Sequence, residues 1–393
     1  MLVLKPEDTR IKNAITLLHL LLKEDGISRV ELSRMTGLTK TTVSAIVKEF
    51  KDSKIVEESN QISTGNIGKS PIPLHIRADV VYTIGVHISR ERLETLLMDA
   101  RMNIITHMRG EDYKKFGPEG VIDSLFSNIN KIMEYSKRKG IDIGAIGIGI
   151  PGPLDAQTGI VKQPPKFIGW KDVPLGSIVQ KEYGIPVWIE NDANVSALAE
   201  KWLGSGRNIH NFICILLNKG IGAGVIINNE LYQGTYDFVG EIGHFLCYEQ
   251  GQFKYLEDIA GVDVLLYLAS SQGLRVKSLK EIAELLQQNN QVANSIVKKL
   301  ATWVGSAIVN AIHMIGPQTV FIGGEMVVLG EPLIQPIREI VSHYLFGEQA
   351  VNIQFSSISS KAVQSGAGIY AMIHWLEKKE YRNLKRLISE ENL

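Results

Sequence analysis

A chain of 393 residues that is 45% hydrophobic and 21% charged is long enough for two or three domains, and this balance excludes a disordered or fibrous protein. The 42 basic and 42 acidic residues cancel, which restricts any nucleic-acid contact to a local patch. The chain has two cysteines, too few for a disulfide framework. It shows no secretory signal, and its apolar runs are much shorter than the roughly 20 residues of a membrane span. We therefore expect a cytoplasmic protein without a membrane partner.

The first 75 residues are predicted to form a separate unit of short helices. A first helix, with apolar side chains at helical spacing, ends at Gly26. Ser28 and Glu31 have the spacing of a capping box at the start of a second helix, which ends at Gly37. Thr39 is the predicted cap of a third helix, whose buried stripe comprises Val43, Ile46, Val47 and Phe50. Two short helices joined by a glycine turn predict a helix-turn-helix.

The first turn of the third helix carries side chains that would reach base edges if this helix entered a major groove. The predicted DNA-contacting residues there are Thr39, Lys40, Thr41, Thr42 and Ser44. Lys48, Lys51 and Lys54 would contact phosphate. Residues 29–54 hold six Lys and Arg against three Asp and Glu, and residues 55–62 are predicted to form a two-stranded wing. The same three helices would also suit a docking or dimerisation module, which is the alternative interpretation.

From about residue 80 the pattern changes to short apolar strands that alternate with helical stretches, which predicts an α/β fold. Several strands end in glycine-rich turns, at residues 147–153, 220–224 and 323–324. Such turns bring backbone amides close to a ligand, often an anion. Glycine also serves ordinary tight packing, so one such turn does not define a site.

Three motifs that follow one another in this body connect it to a known family. They are Ile148-Gly149-Ile150-Pro151-Gly152-Pro153-Leu154-Asp155, Glu190-Asn191-Asp192-Ala193-Asn194 and Gly240-Glu241-Ile242-Gly243-His244. The set resembles the ROK family, which joins bacterial sugar kinases to sugar-responsive transcriptional repressors, over residues 80–375. The helix-turn-helix resembles the winged domain of the repressor branch. Gly68-Lys69-Ser70-Pro71 resembles the basic arm that follows this domain, which adds Lys69 to the expected DNA contacts.

The resemblance implies an α/β, actin-like, two-lobed sugar-kinase fold preceded by a helical, winged DNA-binding domain. We assign residues 1–75 to the DNA-binding domain with its basic arm and residues 80–195 to a first lobe, completed by a C-terminal helix at 375–393. Residues 196–374 form the second lobe, which would carry the dimerisation surface. The sugar would lie in the cleft between the lobes.

The resemblance also implies a set of sugar-binding side chains. Asn191 and Asp192 match the family's pair, in which Asn binds a sugar hydroxyl and Asp is the general base of the kinases; a carboxylate suits both tasks because a hydroxyl offers it a proton. Glu241 and His244 match the family's sugar-binding Glu and His, and one helical turn would align them. Glu257 resembles a further sugar-binding Glu. Asp192 is also positioned to cap the helix that follows it.

Departures from the kinase pattern predict that ATP binding and catalysis are lost. Where the kinases carry an Asp-x-Gly-Gly-Thr loop that holds ATP phosphate, this chain has His87 in place of the Asp and Ser89, Arg90 and Glu91 in place of Gly-Gly-Thr. Side chains at the glycine positions would block close backbone approach, and Glu91 would repel phosphate. Lys219 replaces the hydroxyl donor of the second phosphate loop. We therefore expect no ATP cofactor, no catalytic residue and no enzymatic activity.

The family's zinc loop, a Cys-x-Cys-Gly-x-x-Gly-Cys run after the His, is missing as well. Between His244 and Glu257 the only cysteine is Cys247. One thiolate and one imidazole do not complete a tetrahedral zinc site, so we expect no zinc. Cys247 is then predicted to be a small buried hydrophobic residue.

The predicted function is that of a sugar-responsive transcriptional repressor of carbohydrate-utilisation genes. Its expected partners are a palindromic operator and a monosaccharide effector such as glucose or xylose. The protein would bind the operator as a homodimer or a dimer of dimers, because symmetric half-sites need a two-fold protein. One alternative is a sugar kinase that carries a DNA-binding domain, against which the altered phosphate loops argue. The other is a DNA-binding dimer without a ligand, against which the polar residues of the predicted cleft argue.

Overall fold

The computed structural model describes residues 6–59, 71–113, 117–347 and 350–391. Its N-terminal unit combines helices with a small sheet in which β3 lies between β1 and β2 and is antiparallel to both. The elements are α1 (Pro6–Lys23), β1 (Ile27–Ser28), α2 (Arg29–Thr36), α3 (Lys40–Asp52), β2 (Val56–Glu58) and β3 (Pro73–Ile76). This is the arrangement of a winged helix-turn-helix, with β2 and β3 as the wing.

Local sequence explains where these helices begin and end. The side chain of Ser28 accepts a hydrogen bond from the amide of Glu31, whose carboxylate accepts from the amide of Ser28, so the predicted capping box is present. Gly37 ends α2 with φ +71°, a conformation that glycine adopts without strain. Thr39 caps α3 by accepting from the amide of Thr42. The predicted stripe of α3 is buried, comprising Val43, Ile46, Val47 and Phe50.

The wing differs from its predicted position. Both of its strands were expected within residues 55–62, but β2 ends at Glu58 and pairs with β3, which places Val56 opposite Ile76. The second strand was misplaced because pairing between distant segments leaves no local pattern. Residues 60–62 and Lys69 lie outside the described residues.

The first lobe is built on a mixed sheet with strand order β10-β7-β4-β5-β6. Strands β4, β5 and β6 are antiparallel neighbours, whereas β7 and β10 extend the sheet in parallel with β4. The elements are β4 (Tyr82–Ile88), β5 (Arg92–Met98), β6 (Ile104–Asp112), α4 (Pro118–Lys139), β7 (Ile143–Ile150), β8 (Leu154–Asp155), β9 (Ile160–Val161), α5 (Leu175–Tyr183) and β10 (Val187–Asn191).

The second lobe repeats this topology in the order β13-β12-β11-β16-β17, with β11 to β13 antiparallel and β16 and β17 parallel to β11. The elements are α6 (Asp192–Trp202), β11 (Phe212–Leu217), β12 (Ile221–Ile227), β13 (Glu230–Leu231), β14 (Leu246–Glu249), β15 (Gln252–Tyr255), α7 (Glu257–Ala260), α8 (Val262–Ser271), α9 (Leu279–Gln287), α10 (Gln291–Ile315), β16 (Thr319–Gly323), α11 (Glu331–Tyr344), β17 (Asn352–Phe355) and α12 (Ala362–Glu391). The predicted two-lobed α/β fold behind a winged unit is confirmed.

Helices α6 and α12 lie between the two sheets. α12 packs on β4, β5 and β7 and against α6, while α6 packs on β11 and β12 of the other sheet. The approach of α12 needs glycine, because a Cβ on Gly147 would lie 1.8 Å from the carbonyl oxygen of Ala367. The helix that returns to the first lobe thus starts at Ala362, earlier than the predicted residue 375, and the boundary drawn at 195/196 falls inside α6.

The N-terminal unit shares a hydrophobic core with α12. Buried side chains of α1, among them Leu17 and Leu21, belong to one cluster with Met372 and Leu376 of α12. At the edge of this cluster, the carboxylate of Glu377 lies 3.0 Å from the His19 Nε2 and 3.6 Å from the His374 Nδ1. Burial opposes ionisation there, but the hydrogen bond with His19 and the nearby His374 hold the pKa of Glu377 at about 2. Within the described ranges, no helix has the length and hydropathy that crossing a membrane would require.

Candidate functional site

A cleft between the lobes gathers four of the five predicted sugar-binding residues. Asn191 and Asp192 line it from the junction of β10 and α6, Glu241 from the loop that precedes β14, and Glu257 from the first turn of α7. The first pair reaches the cleft because the carboxyl ends of the parallel strands β7 and β10 meet at this edge of the sheet. Carboxylates and an amide therefore converge on one space from both lobes.

Asn191, not Asp192, is the N-terminal cap of α6. Its Oδ1 accepts hydrogen bonds from the amides of Ala193, at 2.8 Å, and Asn194, at 3.4 Å. Asp192 is the first helical residue, and its Oδ1 also accepts from Ala193, at 2.8 Å. Since the cap uses the oxygen of Asn191, its amide nitrogen is the group that can donate to a ligand, while the second carboxylate oxygen of Asp192 can accept.

Two carboxylates of the cleft, Asp192 and Glu241, are held where negative charge is unfavourable. Burial raises the pKa of Asp192 from 3.8 to about 6; the hydrogen bond from Ala193 opposes this rise, Glu241 adds to it and Arg90 opposes it. Burial also raises the pKa of Glu241, against the influence of His244. Such a site favours a ligand that donates hydrogen bonds and carries no negative charge.

His244 lies beside Glu241 at the rim of the cleft. A short 3₁₀ turn, Ile242–His244, follows Glu241 and brings the His244 Nδ1 to 3.4 Å from the Glu241 Oε2. The imidazole packs edge-on against Tyr255, with 5.1 Å between the ring centroids, and the side chain is 41% exposed. The structure thus assigns His244 a contact that orients Glu241; a direct contact between His244 and a sugar stays a prediction.

Arg90, Glu91 and Lys219, the side chains that were predicted to disrupt the phosphate loops, form ion pairs between the two lobes. Lys219 contacts Glu91, from the turn after β4, and lies 3.2 Å from Asp263 at the start of α8. Arg90, from the same turn, approaches Glu257 of α7 at 3.7 Å. Sequence reasoning treated Arg90 and Glu91 only as obstacles to phosphate and missed these contacts, although the opposite charges of Lys219 and Glu257 were visible in the motifs.

His87 was predicted to replace the metal-holding Asp of the kinases, and its surroundings in the cleft favour the neutral imidazole. It lines the wall at the end of β4, and burial lowers its pKa from 6.5 to about 4. An uncharged imidazole contributes no negative charge with which to hold magnesium.

The hairpin of β14 and β15 occupies the place where the family's zinc loop was expected. Cys247 lies on β14, is only partly buried, and has its Sγ 3.8 Å from the carbonyl oxygen of Phe245. It is therefore less buried than predicted. Over the part of the chain that the structure describes, no group of three or more His, Cys, Asp or Glu is arranged to hold a metal ion. The zinc content of the protein itself stays a prediction.

The first turn of α3 presents a polar surface to solvent. The exposed residues are Thr39, Lys40, Thr41, Ser44 and Lys48, and Thr42 is partly exposed. The hydroxyl of Thr39 lies 2.9 Å from that of Thr42 and 3.2 Å from that of Thr41, which orders this turn. Lys51, which was expected to meet phosphate, instead pairs with Glu58 on β2. The geometry fits a recognition helix whose outer face is free to enter a groove.

A winged helix-turn-helix unit in front of a two-lobed, sugar-kinase-like body defines a class of DNA-binding proteins built on an enzyme fold. The ROK family pattern matches residues 83–378, and a winged helix-turn-helix DNA-binding pattern matches residues 12–57. The chain belongs to the ROK family, as its motifs predicted.

Individual relatives match either the whole chain or its two-lobed body. The xylose repressor of Caldicellulosiruptor bescii is 29% identical over 94% of this chain and 97% of its own length. The crystal structure of a ROK family transcriptional regulator, a homologue of the E. coli protein Mlc, covers 95% of this chain and 99% of its own with a TM-score of 0.81 at 22% identity. A ROK glucokinase from Streptomyces griseus, in complex with glucose and AMPPNP, is 26% identical and covers 74% of this chain and 99% of its own, with a TM-score of 0.65.

Proposed function

We propose that this protein is a sugar-responsive transcriptional repressor of carbohydrate-utilisation genes. The observation that carries the proposal is the presence in one chain of an exposed recognition-helix turn and an interlobe cleft lined by Asn191, Asp192, Glu241 and Glu257. The likeness to a xylose repressor over nearly the whole chain, winged unit included, supports the DNA-binding half. The likeness of the body to a glucose-bound glucokinase supports the sugar-binding half.

The effector would be a neutral monosaccharide, with D-xylose and D-glucose as the first probes. The amide nitrogen of Asn191 donates, while Asp192, Glu241 and Glu257 accept, which matches the donors and acceptors of neighbouring sugar hydroxyls. The raised pKa values of Asp192 and Glu241 disfavour a negatively charged sugar. His244 would act by orienting Glu241 at 3.4 Å.

Packed helices connect this cleft to the DNA-binding unit. Asn191 and Asp192 form the start of α6, α6 packs along α12, and α12 packs against α1. A sugar that changes the closure of the lobes would shift α6 and α12, and so alter how the two recognition helices of a dimer meet a palindromic operator. A coupling free energy of about 1–3 kcal/mol would change operator affinity roughly 5- to 150-fold.

The protein would bind the sugar without phosphorylating it. Arg90 and Glu91 fill the turn that holds phosphate in the kinases, and Glu91 is engaged with Lys219. A carboxylate base at Asp192 has no effect on the reaction without a positioned phosphoryl group and magnesium. A coupled assay of ATP turnover with D-xylose and D-glucose should detect none; turnover near the ~1–100 s⁻¹ of kinases would establish the kinase alternative instead.

The test of the proposal uses the full chain and DNA selected from a random duplex pool by the protein itself. We expect selection of a palindrome, binding by a dimer in light scattering, and a change of at least fivefold in its affinity when D-xylose or D-glucose is added. Lys48→Ala should weaken binding to all DNA alike, whereas Lys162→Ala, at an exposed lysine of the first lobe, serves as the matched control. Failure to select any sequence would refute the DNA-binding role.

A further inference from the structure

Arg90 extends its guanidinium into the cleft with a donor that has no acceptor. The side chain is 13% exposed, and its Nη1 is buried without a hydrogen-bond partner. Its Nη2 lies 3.7 Å from the Oε2 of Glu257, which is too long for a direct hydrogen bond. Gly220 makes room for the guanidinium, because a Cβ at position 220 would lie 3.0 Å from the Arg90 Nη2. A buried donor of this kind is costly unless a ligand supplies the acceptor.

We propose that Arg90 is a sugar-binding residue of this protein, and that it donates to the same sugar hydroxyl from which Asp192 accepts. The inference rests on the proposed function and adds a residue to its site. Arg90, Asp192 and Glu257 line the same cleft, and a hydroxyl can donate to a carboxylate while it accepts from a guanidinium. One hydroxyl would thereby satisfy both the unpaired Nη1 and the carboxylate of Asp192.

The surrounding charges select a neutral ligand in spite of the arginine. Asp192, Glu241 and Glu257 face the single guanidinium, and the ammonium of the nearby Lys219 is engaged by Glu91 and Asp263. A phosphate or carboxylate on the sugar would meet an excess of negative charge. The ligand class is therefore a polyol with a free hydroxyl at the position that faces Asp192.

The contact would also make lobe closure depend on the sugar. Arg90 belongs to the turn between β4 and β5 of the first lobe, whereas Glu257 starts α7 of the second. At 3.7 Å the two groups attract each other without a direct hydrogen bond. A sugar held by both residues bridges the lobes at this point.

The experiment measures binding of D-xylose and D-glucose to the full-length protein by calorimetry. Arg90→Met removes every donor and keeps an unbranched, largely apolar side chain, and Arg90→Lys keeps the positive charge without the paired donors of the guanidinium. Arg92→Met is the matched control, since Arg92 begins β5 directly after this turn and lies 3.5 Å from Glu91 and from Asp112. We expect Arg90→Met to weaken binding by about tenfold or more, Arg90→Lys by less, and Arg92→Met by less than about twofold.

A pH profile gives a second readout of Arg90, through the effect of its charge on Asp192. Because Arg90 favours the charged form of Asp192, its loss should move the acid limb of sugar binding to higher pH, and Arg92→Met should leave that limb in place. Sugar binding by Arg90→Met that equals or exceeds that of the wild type would show that Arg90 is only a counter-ion of Glu257, and would overturn the inference. If Arg90→Met does not fold, Arg90→Lys must still weaken sugar binding, and unchanged binding overturns the inference.

The failure of this inference differs from the failure of the proposed function. A wild-type protein that binds operator DNA but neither sugar refutes the proposed effector class, and Arg90 as its ligand along with it. A wild type that binds sugar as tightly as Arg90→Met leaves the repressor proposal intact and refutes only the role of Arg90.

Discussion

Replacement of Asp192 by Asn should make the protein more stable and less able to bind sugar. Burial raises the pKa of this carboxyl from 3.8 to about 6, so the folded protein holds the proton more tightly than the unfolded chain does. The cost of the charge is therefore fully present above pH 6 and disappears as the pH falls toward 4. This rise in the pKa of Asp192 corresponds to at most ~3 kcal/mol of the free energy of unfolding. Asn retains an oxygen that can accept from Ala193, so the helix start is preserved.

We expect Asp192→Asn to raise the free energy of unfolding at pH 7.5 by ~1–3 kcal/mol and to change it little at pH 4. Sugar affinity should fall by about ten- to a hundredfold, because the charged acceptor of the hydroxyl is lost. The sugar affinity of the wild type should also decline as the pH is lowered from 7.5 to 5, because Asp192 takes up a proton. The sugar affinity of Asp192→Asn should not show this decline. Operator affinity without sugar should stay unchanged.

Urea unfolding at the two pH values, calorimetry with D-xylose and D-glucose, and operator titrations provide these measurements. A variant that is less stable than the wild type at pH 7.5 would show that the carboxylate makes favourable contacts that outweigh its burial. A wild-type affinity that is constant between pH 5 and pH 7.5 would show that the charge of Asp192 takes no part in sugar binding. Either result would contradict the role assigned here to the buried carboxylate of Asp192.

Three further predictions concern DNA binding, docking of the winged unit and zinc. Thr41→Ala should relax sequence preference, whereas Lys48→Ala should weaken all DNA alike and flatten the salt dependence; a Lys48→Ala protein with an unchanged salt slope would contradict the phosphate contact. Glu377→Gln should lower the free energy of unfolding at pH 6 by ~1–2 kcal/mol, because it weakens the contact with His19. In the wild type the stability that the Glu377 carboxylate provides should be lost as the pH falls from about 4.5 toward 2. Equal melting curves of the two proteins at pH 6 would contradict this prediction. Elemental analysis should find no stoichiometric zinc, and one zinc per chain would mean that Cys247 has recruited further ligands.

Local sequence rules predicted the N-terminal helices well because their decisive contacts are short in sequence. The capping box of Ser28 and Glu31 and the cap at Thr39 each join residues three apart, so the sequence alone displays them. The wing strand Pro73–Ile76 was missed because its partner, β2, lies well before it in the chain. The cap of α6 was off by one residue, since both Asn191 and Asp192 offer an oxygen to the same amide.

At the candidate site, too, the sequence predicted which residues take part but not the contacts between distant residues. Family motifs selected Asn191, Asp192, Glu241 and Glu257, and the fold brings these four to one cleft. The ion pairs of Lys219 with Glu91 and of Arg90 with Glu257 connect residues of different lobes, so only the folded structure reveals them. That these residues bind sugar stays a prediction. The structural role of His244 beside Glu241 was likewise hidden, because a motif records which residue is present and not which way it faces.

The same ion pairs bear on which signals the protein can answer. Glu91 of the first lobe pairs with Lys219 of the second, so side chains of the chain itself already join the lobes at this side of the cleft. The proposed sugar would then alter lobe closure without a nucleotide, because a ligand shifts an equilibrium by its differential affinity for the two states. We therefore expect operator affinity to respond to D-xylose or D-glucose and to be the same with and without millimolar ATP. A sugar response that requires ATP would show that these ion pairs open to admit a nucleotide.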